Sequence, residues 1–148
     1  MIALRPNGRL TPLLAIAGTV LLWLPLLAPV VFGLFSLFAT GTFRFDYLMP
    51  AELFPVALIG GGLLLWASIR VRSRVATLAW TLSIAFLALA GGQLWAVVSG
   101  LASGDIPAQG WPWMLALASL ALYTLGILVA AGIGVLLVVD LLRRPDRG

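Results

Sequence analysis

The sequence predicts an all-α, polytopic integral membrane protein, a bundle of four transmembrane helices with both termini in the cytoplasm. Three observations lead to this prediction. The 148 residues are 62% hydrophobic and only 9% charged, whereas a soluble domain carries about 25% charged residues. The apolar residues form four long runs instead of alternating with polar residues. The Arg residues are concentrated in some of the segments that flank these runs and are nearly absent from others.

The first apolar run covers 13–39 and follows a tail that contains Arg5 and Arg9. It is far longer than the ~7–15-residue apolar region of a secretory signal, so we expect an uncleaved span. A helix of this length, at ~1.5 Å per residue, exceeds the ~30 Å hydrocarbon core of a bilayer. Pro25 and Pro29 lie inside the run, and each removes a backbone donor. We therefore expect a tilted or bent first helix.

The other three predicted spans cover 53–69, 75–98 and 113–139. The run at 53–69 is near the lower length limit of ~17 residues for a transmembrane helix. The connections between the runs differ in length and composition, and the sequence shows no internal repeat. This pattern does not support an inverted-repeat transporter. We predict that residues 1–148 form a single membrane domain.

The distribution of Arg residues sets the predicted orientation. The N-terminal tail, the second loop and the C-terminal tail hold two, three and three Arg, whereas the first loop holds only Arg44 and the third loop holds none. Positively charged residues are enriched in cytoplasmic loops, so this excess assigns both termini to the cytoplasm. Trp111 and Trp113 then fit an aromatic belt at the outer face.

Nine Arg without a single Lys are typical of a GC-rich genome. We therefore expect a bacterial inner-membrane protein.

Missing residue types exclude several chemistries within this chain. Without Cys there are no disulfides, thiol redox reactions or Fe–S clusters, and without His the usual haem, copper and zinc ligand is absent. The sequence contains no catalytic motif, and we predict no cofactor and no metal site. The net charge of +4 does not indicate nucleic-acid binding, because the Arg residues lie at the ends of apolar runs. We assign anionic-lipid contacts to five of them: Arg70, Arg72, Arg74, Arg143 and Arg144.

Small residues recur at a spacing of four in the third and fourth runs, as in helix-packing seams of membrane proteins. The same spacing also arises by chance in helices rich in Ala and Gly. Gln93 is the strongly polar side chain that lies clearly inside a run. It either contacts a substrate or, as we favour, hydrogen-bonds a neighbouring helix. The predicted seams consist of Ala88, Gly92 and Ala96 in the third run and Gly126, Ala130 and Gly134 in the fourth.

Residues 43–55 combine aromatic and charged side chains between the first two runs. In an extended conformation, Arg44 and Asp46 would share one side of this strip, as an exposed pair of low energy. Glu52 would stabilise the start of the second helix. Alternatively, Asp46 and Glu52 line a cleft and bind a cation, a basic group or a partner. Arg44, Asp46, Glu52 and Gln93 are therefore the candidate ligand or partner contacts.

Asp140 lies near the end of the fourth run, and we expect it to pair with Arg143 and Arg144 at helical spacing. No Asp, Glu or Arg lies at the centre of any run. This distribution argues against a proton-coupled pump or a voltage sensor built from this chain alone.

These observations leave three classes of function. We favour a non-catalytic subunit, scaffold or accessory factor that acts through helix packing. The alternative is a small-solute permease or channel that assembles as an oligomer. A membrane enzyme that acts on a lipid substrate is the third. The expected partners are the lipid bilayer and either a membrane protein or further copies of this chain, and not nucleic acid.

Overall fold

The computed structural model describes residues 10–40 and 53–143. Within these ranges the fold is all-helical and contains no strand. The helices are α1 (Leu10–Thr40), α2 (Phe54–Val71), α3 (Val75–Val98) and α4 (Gly110–Arg143). Each of the four is long and apolar enough to cross a membrane. The predicted all-α class, with four helices of membrane-spanning length, is confirmed.

The helix bounds differ from the predicted runs by at most four residues and coincide with them for α3. The helix α4 begins earlier than predicted because Pro112 lies in its first turn, where a missing amide hydrogen breaks no helical bond. Pro12 has the same position in α1. The helix α1 continues through Pro25 and Pro29 without interruption. Hydropathy therefore locates the helices well, and the terminal prolines account for the earlier starts.

The helices differ in length, and α2 is the shortest. At a rise of ~1.5 Å per residue, α1 and α4 are about 46 and 51 Å long, whereas α3 is about 36 Å and α2 about 27 Å. The helix α2 can therefore pack along only part of α1, and the rest of α1 extends beyond it.

Two helical hairpins form the bundle, and α1 and α4 join them. The closest packing is between α1 and α2, between α3 and α4, and then between α1 and α4. The hairpins also touch where Gly61 of α2 lies against Leu82 of α3. The rings of Phe54 and Phe86 meet edge to face, with centroids 5.4 Å apart. The order around the bundle is thus α2, α1, α4, α3. The smaller contact between α2 and α3 closes the bundle.

The contact between α1 and α2 is a close approach of two backbones. A Cβ added to Gly18 would lie 2.7 Å from the backbone nitrogen of Leu64, and one added to Gly60 would lie 3.0 Å from the Gly18 carbonyl oxygen. Such proximity is possible only because both positions lack a side chain. Small residues that bring backbones together are a general means of helix association in lipid, where the hydrophobic effect supplies little drive.

Aliphatic and small side chains fill the space between the helices, whereas many large apolar side chains face outward. Trp66, Trp80 and Phe38 are among the exposed ones. The arrangement fits a solvent as apolar as the side chains themselves. The buried apolar residues are Ala15, Leu22, Ala57, Leu64, Ala67, Leu78, Leu82, Ala85, Leu89, Tyr123, Ile127, Ala130, Ala131 and Leu137.

Residues 72–74 connect α2 to α3 in a tight turn. Arg72 and Arg74 both adopt left-handed backbone conformations, with φ of 53° and 56°. The amide of Arg72 donates to the carbonyl of Ile69, and the amide of Ser73 donates to the carbonyl of Ser68. The Ser68 hydroxyl donates in return to the Ser73 carbonyl. These bonds satisfy the end of α2 and reverse the chain within three residues.

Candidate functional site

Four of the predicted contact residues lie outside the described part of the chain. They are Arg44, Asp46 and Glu52 in the first connection and Arg144 in the C-terminal tail. The exposed pair of Arg44 with Asp46 and the stabilising effect of Glu52 on the start of the second helix therefore stay predictions.

Four exposed arginines lie at one end of the bundle, which we call the basic end: Arg70, Arg72, Arg74 and Arg143. Arg74 forms an ion pair with Asp140, with 3.6 Å between Nη2 and Oδ2. The pair is nearly half exposed, so it contributes less than about 1 kcal/mol. It ties the α2–α3 turn to the end of α4. The lipid contacts predicted for these arginines stay a prediction.

Asp140 pairs with Arg74 and not with Arg143, one of its two predicted partners, in the described residues. Arg74 comes from another helix connection, and the pairing predicted with Arg144 lies outside the described residues. The reason is the sharp turn at 72–74, which places Arg74 beside the end of α4. Sequence spacing reports neighbours along a helix and gives no information on neighbours across the bundle.

Three tryptophans mark the opposite end, which we call the aromatic end: Trp95, Trp111 and Trp113. The indole N–H of Trp95 donates to the carbonyl of Pro112 over 3.2 Å. The rings of Trp95 and Trp111 lie 5.2 Å apart, tilted by 45°. These contacts join the end of α3 to the start of α4.

The small residues predicted as a seam on α4 contact different helices. A Cβ on Gly126 would lie 2.7 Å from the Cβ of Ala85 in α3. A Cβ on Gly134 would lie 2.5 Å from Oγ1 of Thr19 in α1. Ala130, between them, is fully buried. The stripe therefore faces α3 toward the aromatic end and α1 toward the basic end, and its role in association stays a prediction.

The small residues predicted on α3 are less enclosed. Ala88 and Ala96 are half-buried. A Cβ on Gly92 would overlap the side chain of Ser119 in α4. The fully buried residue on this side of α3 is Ala85, three residues before the predicted stripe begins. The stripe thus lies at the α3–α4 contact, but its role as a seam stays a prediction too.

Gln93 lies at the edge of a cleft between α3 and α4 near the aromatic end. The cleft has a volume of about 340 Å³, and Gly92, Trp113 and Ser119 also line it. The Ser119 hydroxyl donates to the Ala116 carbonyl of its own helix. Gln93 is exposed, and within the described residues no hydrogen bond joins its amide to another helix. The interhelical bond that we favoured is therefore not formed in this part of the chain.

A second cavity lies between α1 and α4, near the middle of both helices. Its volume is about 550 Å³. Pro25 and Pro29 line it from α1, and Tyr123 and Thr124 line it from α4. Tyr123 is only 1% exposed, and its hydroxyl has no hydrogen-bond partner among the described residues. Tyr123 is not among the predicted site residues, although a phenol in a mostly apolar run was a visible signal in the sequence.

Two polar side chains that line the cavities make no hydrogen bond within the described residues. They are the amide of Gln93 and the hydroxyl of Tyr123, each beside a mostly apolar cavity. Within the described ranges, no three Asp or Glu side chains come together. Comparisons with protein-family models, characterised proteins and solved structures find no match for this chain.

Proposed function

We propose that this chain is a multi-pass protein of the bacterial inner membrane and that it acts as a non-catalytic subunit by packing against another membrane protein. Both termini then lie in the cytoplasm. The observation that carries the proposal is the exposed position of the Gln93 amide, which makes no hydrogen bond within the described residues.

The surface of the bundle supports its place in a membrane. The four helices are long and apolar enough to cross a bilayer, and large apolar side chains cover their outward faces. The exposed arginines collect at the basic end, and three of the six tryptophans lie at the aromatic end. Positive charge on the cytoplasmic side and tryptophan at the interfaces are the usual pattern of multi-pass proteins. The basic end is therefore assigned to the cytoplasm.

An unpartnered amide in such a surface favours contact with another helix. Gln93 lies five residues before the end of α3, which is about 8 Å along the helix axis. Ala90 and Val97, on the same side of α3, are also exposed. Lipid offers the amide no donor or acceptor, whereas a partner helix can supply both. Hydrogen bonds of this kind between membrane helices are worth about 1–2 kcal/mol in model peptides.

A filled interior weighs against transport by a single chain. Leu64, Ile127 and Ala130 are among the fully buried side chains between the helices. A permease would turn its polar side chains toward a passage through the bundle, whereas Gln93 is exposed at the edge of a cleft between α3 and α4. The cleft beside Gln93 and Ser119 is the feature that favours the permease alternative. Solute uptake into proteoliposomes that is lost in Gln93→Leu would establish this alternative in place of the subunit.

The subunit proposal is tested by the effect of Gln93 on assembly. The chain is extracted from its native membrane in mild detergent, and the mass of the complex is measured by native mass spectrometry. We expect a stoichiometric membrane-protein partner with the wild type. In Gln93→Leu we expect roughly tenfold weaker association, because the partner helix then loses its hydrogen bond to the Gln93 amide.

The matched control is Gln109→Leu, which removes the other glutamine of the chain, in the exposed α3–α4 connection. This variant should keep the wild-type mass. Helix content and thermal stability should be the same in both variants. A monomer in the wild type, or equal complexes in Gln93→Leu and wild type, would contradict the proposal. If the complex consists of identical chains, the partner in the proposal is a second copy of this chain and not a different protein.

A further inference from the structure

The hydroxyl of Tyr123 is a buried polar group without a partner. Its side chain is 1% exposed, and no hydrogen bond reaches its oxygen. Buried polar side chains in folded proteins nearly always have a hydrogen-bond partner, since an unsatisfied group is costly. The next residue, Thr124, is bonded in the usual way for a hydroxyl in an apolar helix: it donates to the Leu120 carbonyl of its own helix over 2.9 Å. Tyr123 therefore points to a partner that residues 10–40 and 53–143 do not supply.

The opposite wall of the cavity offers an acceptor. Pro29 has no amide hydrogen, so the carbonyl of Pro25 lacks the donor that a helix normally supplies four residues further on. Both prolines are buried, and both line the same cavity as Tyr123. The cavity is thus lined by Tyr123, whose hydroxyl is unbonded among the described residues, and by Pro25, whose carbonyl lacks its usual donor.

Apart from Thr124, the remaining side chains that line the cavity are apolar. Leu26, Val30, Leu117 and Ile127 are among them, and none of the described residues around the cavity is charged. Its volume of about 550 Å³ lies within the ~300–1,000 Å³ of typical ligand pockets. The cavity is therefore of a size and polarity that suit a lipophilic molecule with one small polar group.

The depth of Tyr123 restricts the charge of this molecule. If Trp113 lies at the membrane interface, Tyr123 is ten residues below it, which is about 15 Å along α4 and about half of the ~30 Å hydrocarbon core. A charged headgroup at this depth is strongly unfavourable. A hydroxyl group can form both hydrogen bonds, since it can accept one from the Tyr123 hydroxyl and donate one to the Pro25 carbonyl.

We propose that the cavity between α1 and α4 binds an uncharged lipid that carries a hydroxyl group on a long apolar chain. The Tyr123 hydroxyl donates to the lipid oxygen, and the apolar lining holds the chain. The proposal rests on the membrane placement given above and not on the partner contact at Gln93.

The test uses a hexadecanol that carries a diazirine in mid-chain, with the full-length protein reconstituted in phospholipid vesicles. After irradiation, labelled positions are located by peptide mass spectrometry. We expect saturable labelling of α1 and α4 around the cavity. Unlabelled hexadecanol should compete with the probe, whereas hexadecane and hexadecanoate should compete at least fivefold less well, because one lacks the hydroxyl and the other carries a charge.

Three variants assign the labelling to the cavity. Tyr123→Phe should weaken competition by hexadecanol roughly fivefold to tenfold. Ala121→Phe, at an exposed position that lines the cavity, should abolish the labelling by filling the space while leaving Tyr123 in place. Thr81→Val is the matched control and should leave competition unchanged, because Thr81 lies in α3, away from the cavity, and its hydroxyl is already bonded to the Thr77 carbonyl of the same helix.

Labelling that does not saturate, that spreads evenly over the outward helix faces, or that persists in both Tyr123→Phe and Ala121→Phe would overturn the proposal. Equal competition by hexadecane would do so too. Release of the protein from membranes by alkaline carbonate is a separate result, since it would refute the membrane placement itself. Loss of assembly in Gln93→Leu with intact labelling would show that the two sites are independent.

Discussion

Three consecutive glycines in α2 have three different surroundings. A Cβ on Gly60 would lie 2.8 Å from the Cβ of Leu21 in α1, and one on Gly61 would lie 3.1 Å from the side chain of Leu82 in α3. A Cβ on Gly62 would meet no atom within 4 Å. The sequence shows a Gly-rich stretch, but it does not distinguish the glycine that admits a neighbouring helix from the one that faces outward.

The variants Gly60→Ala and Gly62→Ala should change stability in opposite directions. At Gly60 the added methyl group meets side chain and backbone of α1, and overpacking of this kind lowers the free energy of unfolding by about 1–3 kcal/mol. At Gly62 the better helix propensity of Ala should raise it by up to about 1 kcal/mol. Thermal unfolding in detergent, followed by circular dichroism, measures both. A destabilisation of the same size at both positions would show that Gly60 does not lie at the α1–α2 contact.

Arg72 has a backbone conformation that glycine adopts more easily. Its φ of 53° is left-handed, which costs a residue with a side chain about 1–2 kcal/mol. We expect Arg72→Gly to raise the free energy of unfolding by about 1 kcal/mol. Arg70→Gly, within the last turn of α2, should lower it because glycine is a poor helix former. Chemical unfolding in mixed micelles distinguishes the two signs, and stabilisation by both variants would contradict the turn geometry.

At the scale of helices, the sequence predicts position much better than pairing. Long apolar runs fix the four helices to within four residues, because only such runs suit the interior of a bilayer. In a soluble protein, the polar side of a helix indicates that its opposite, apolar side is buried. These helices are apolar all round, so their sequences do not show which side faces a neighbour. For this reason the Gly18–Gly60 contact and the Arg74–Asp140 pair were not predicted.

The same limit applies to the candidate site. A single polar residue such as Gln93 stands out in an apolar run, and its position at a cleft could be tested only with the helices in place. The α1–α4 cavity depends on how two distant helices meet, so composition does not indicate it. Tyr123 could have been singled out as a phenol in the fourth run, but only the packing shows that its hydroxyl lacks a partner.

Engineered cysteines test the pairing of α1 with α4, and the chain contains no native Cys that would interfere. A Cβ on Gly134 would lie 3.3 Å from the Cβ of Thr19, close to the ~3.5–4.5 Å of a disulfide. We expect Thr19→Cys with Gly134→Cys to form an intramolecular disulfide under mild oxidation, detected by intact mass. Thr19→Cys with Gly132→Cys is the matched control, since nothing lies within 4 Å of a Cβ at Gly132. Equal disulfide formation in both pairs would refute this α1–α4 packing.

At the scale of the whole molecule, the two ends of the bundle differ in chemistry. Exposed arginines occupy the basic end, and Trp95, Trp111 and Trp113 occupy the aromatic end. Large apolar side chains cover the length between them. A bilayer has the same sequence of environments along its normal, from an anionic cytoplasmic surface through hydrocarbon to the opposite interface. The membrane orientation, the partner contact and the lipid site all depend on this correspondence.

The most direct test of the account is the accessibility of single cysteines in intact cells. Ala108→Cys lies in the exposed α3–α4 connection at the aromatic end, and Gly148→Cys lies at the C-terminus. With a membrane-impermeant maleimide, we expect Ala108→Cys to be labelled in intact cells and Gly148→Cys to be labelled only after permeabilisation. The reverse pattern would contradict the orientation. Labelling of both positions from the same side would contradict the odd number of crossings between them and, with it, the four-span arrangement.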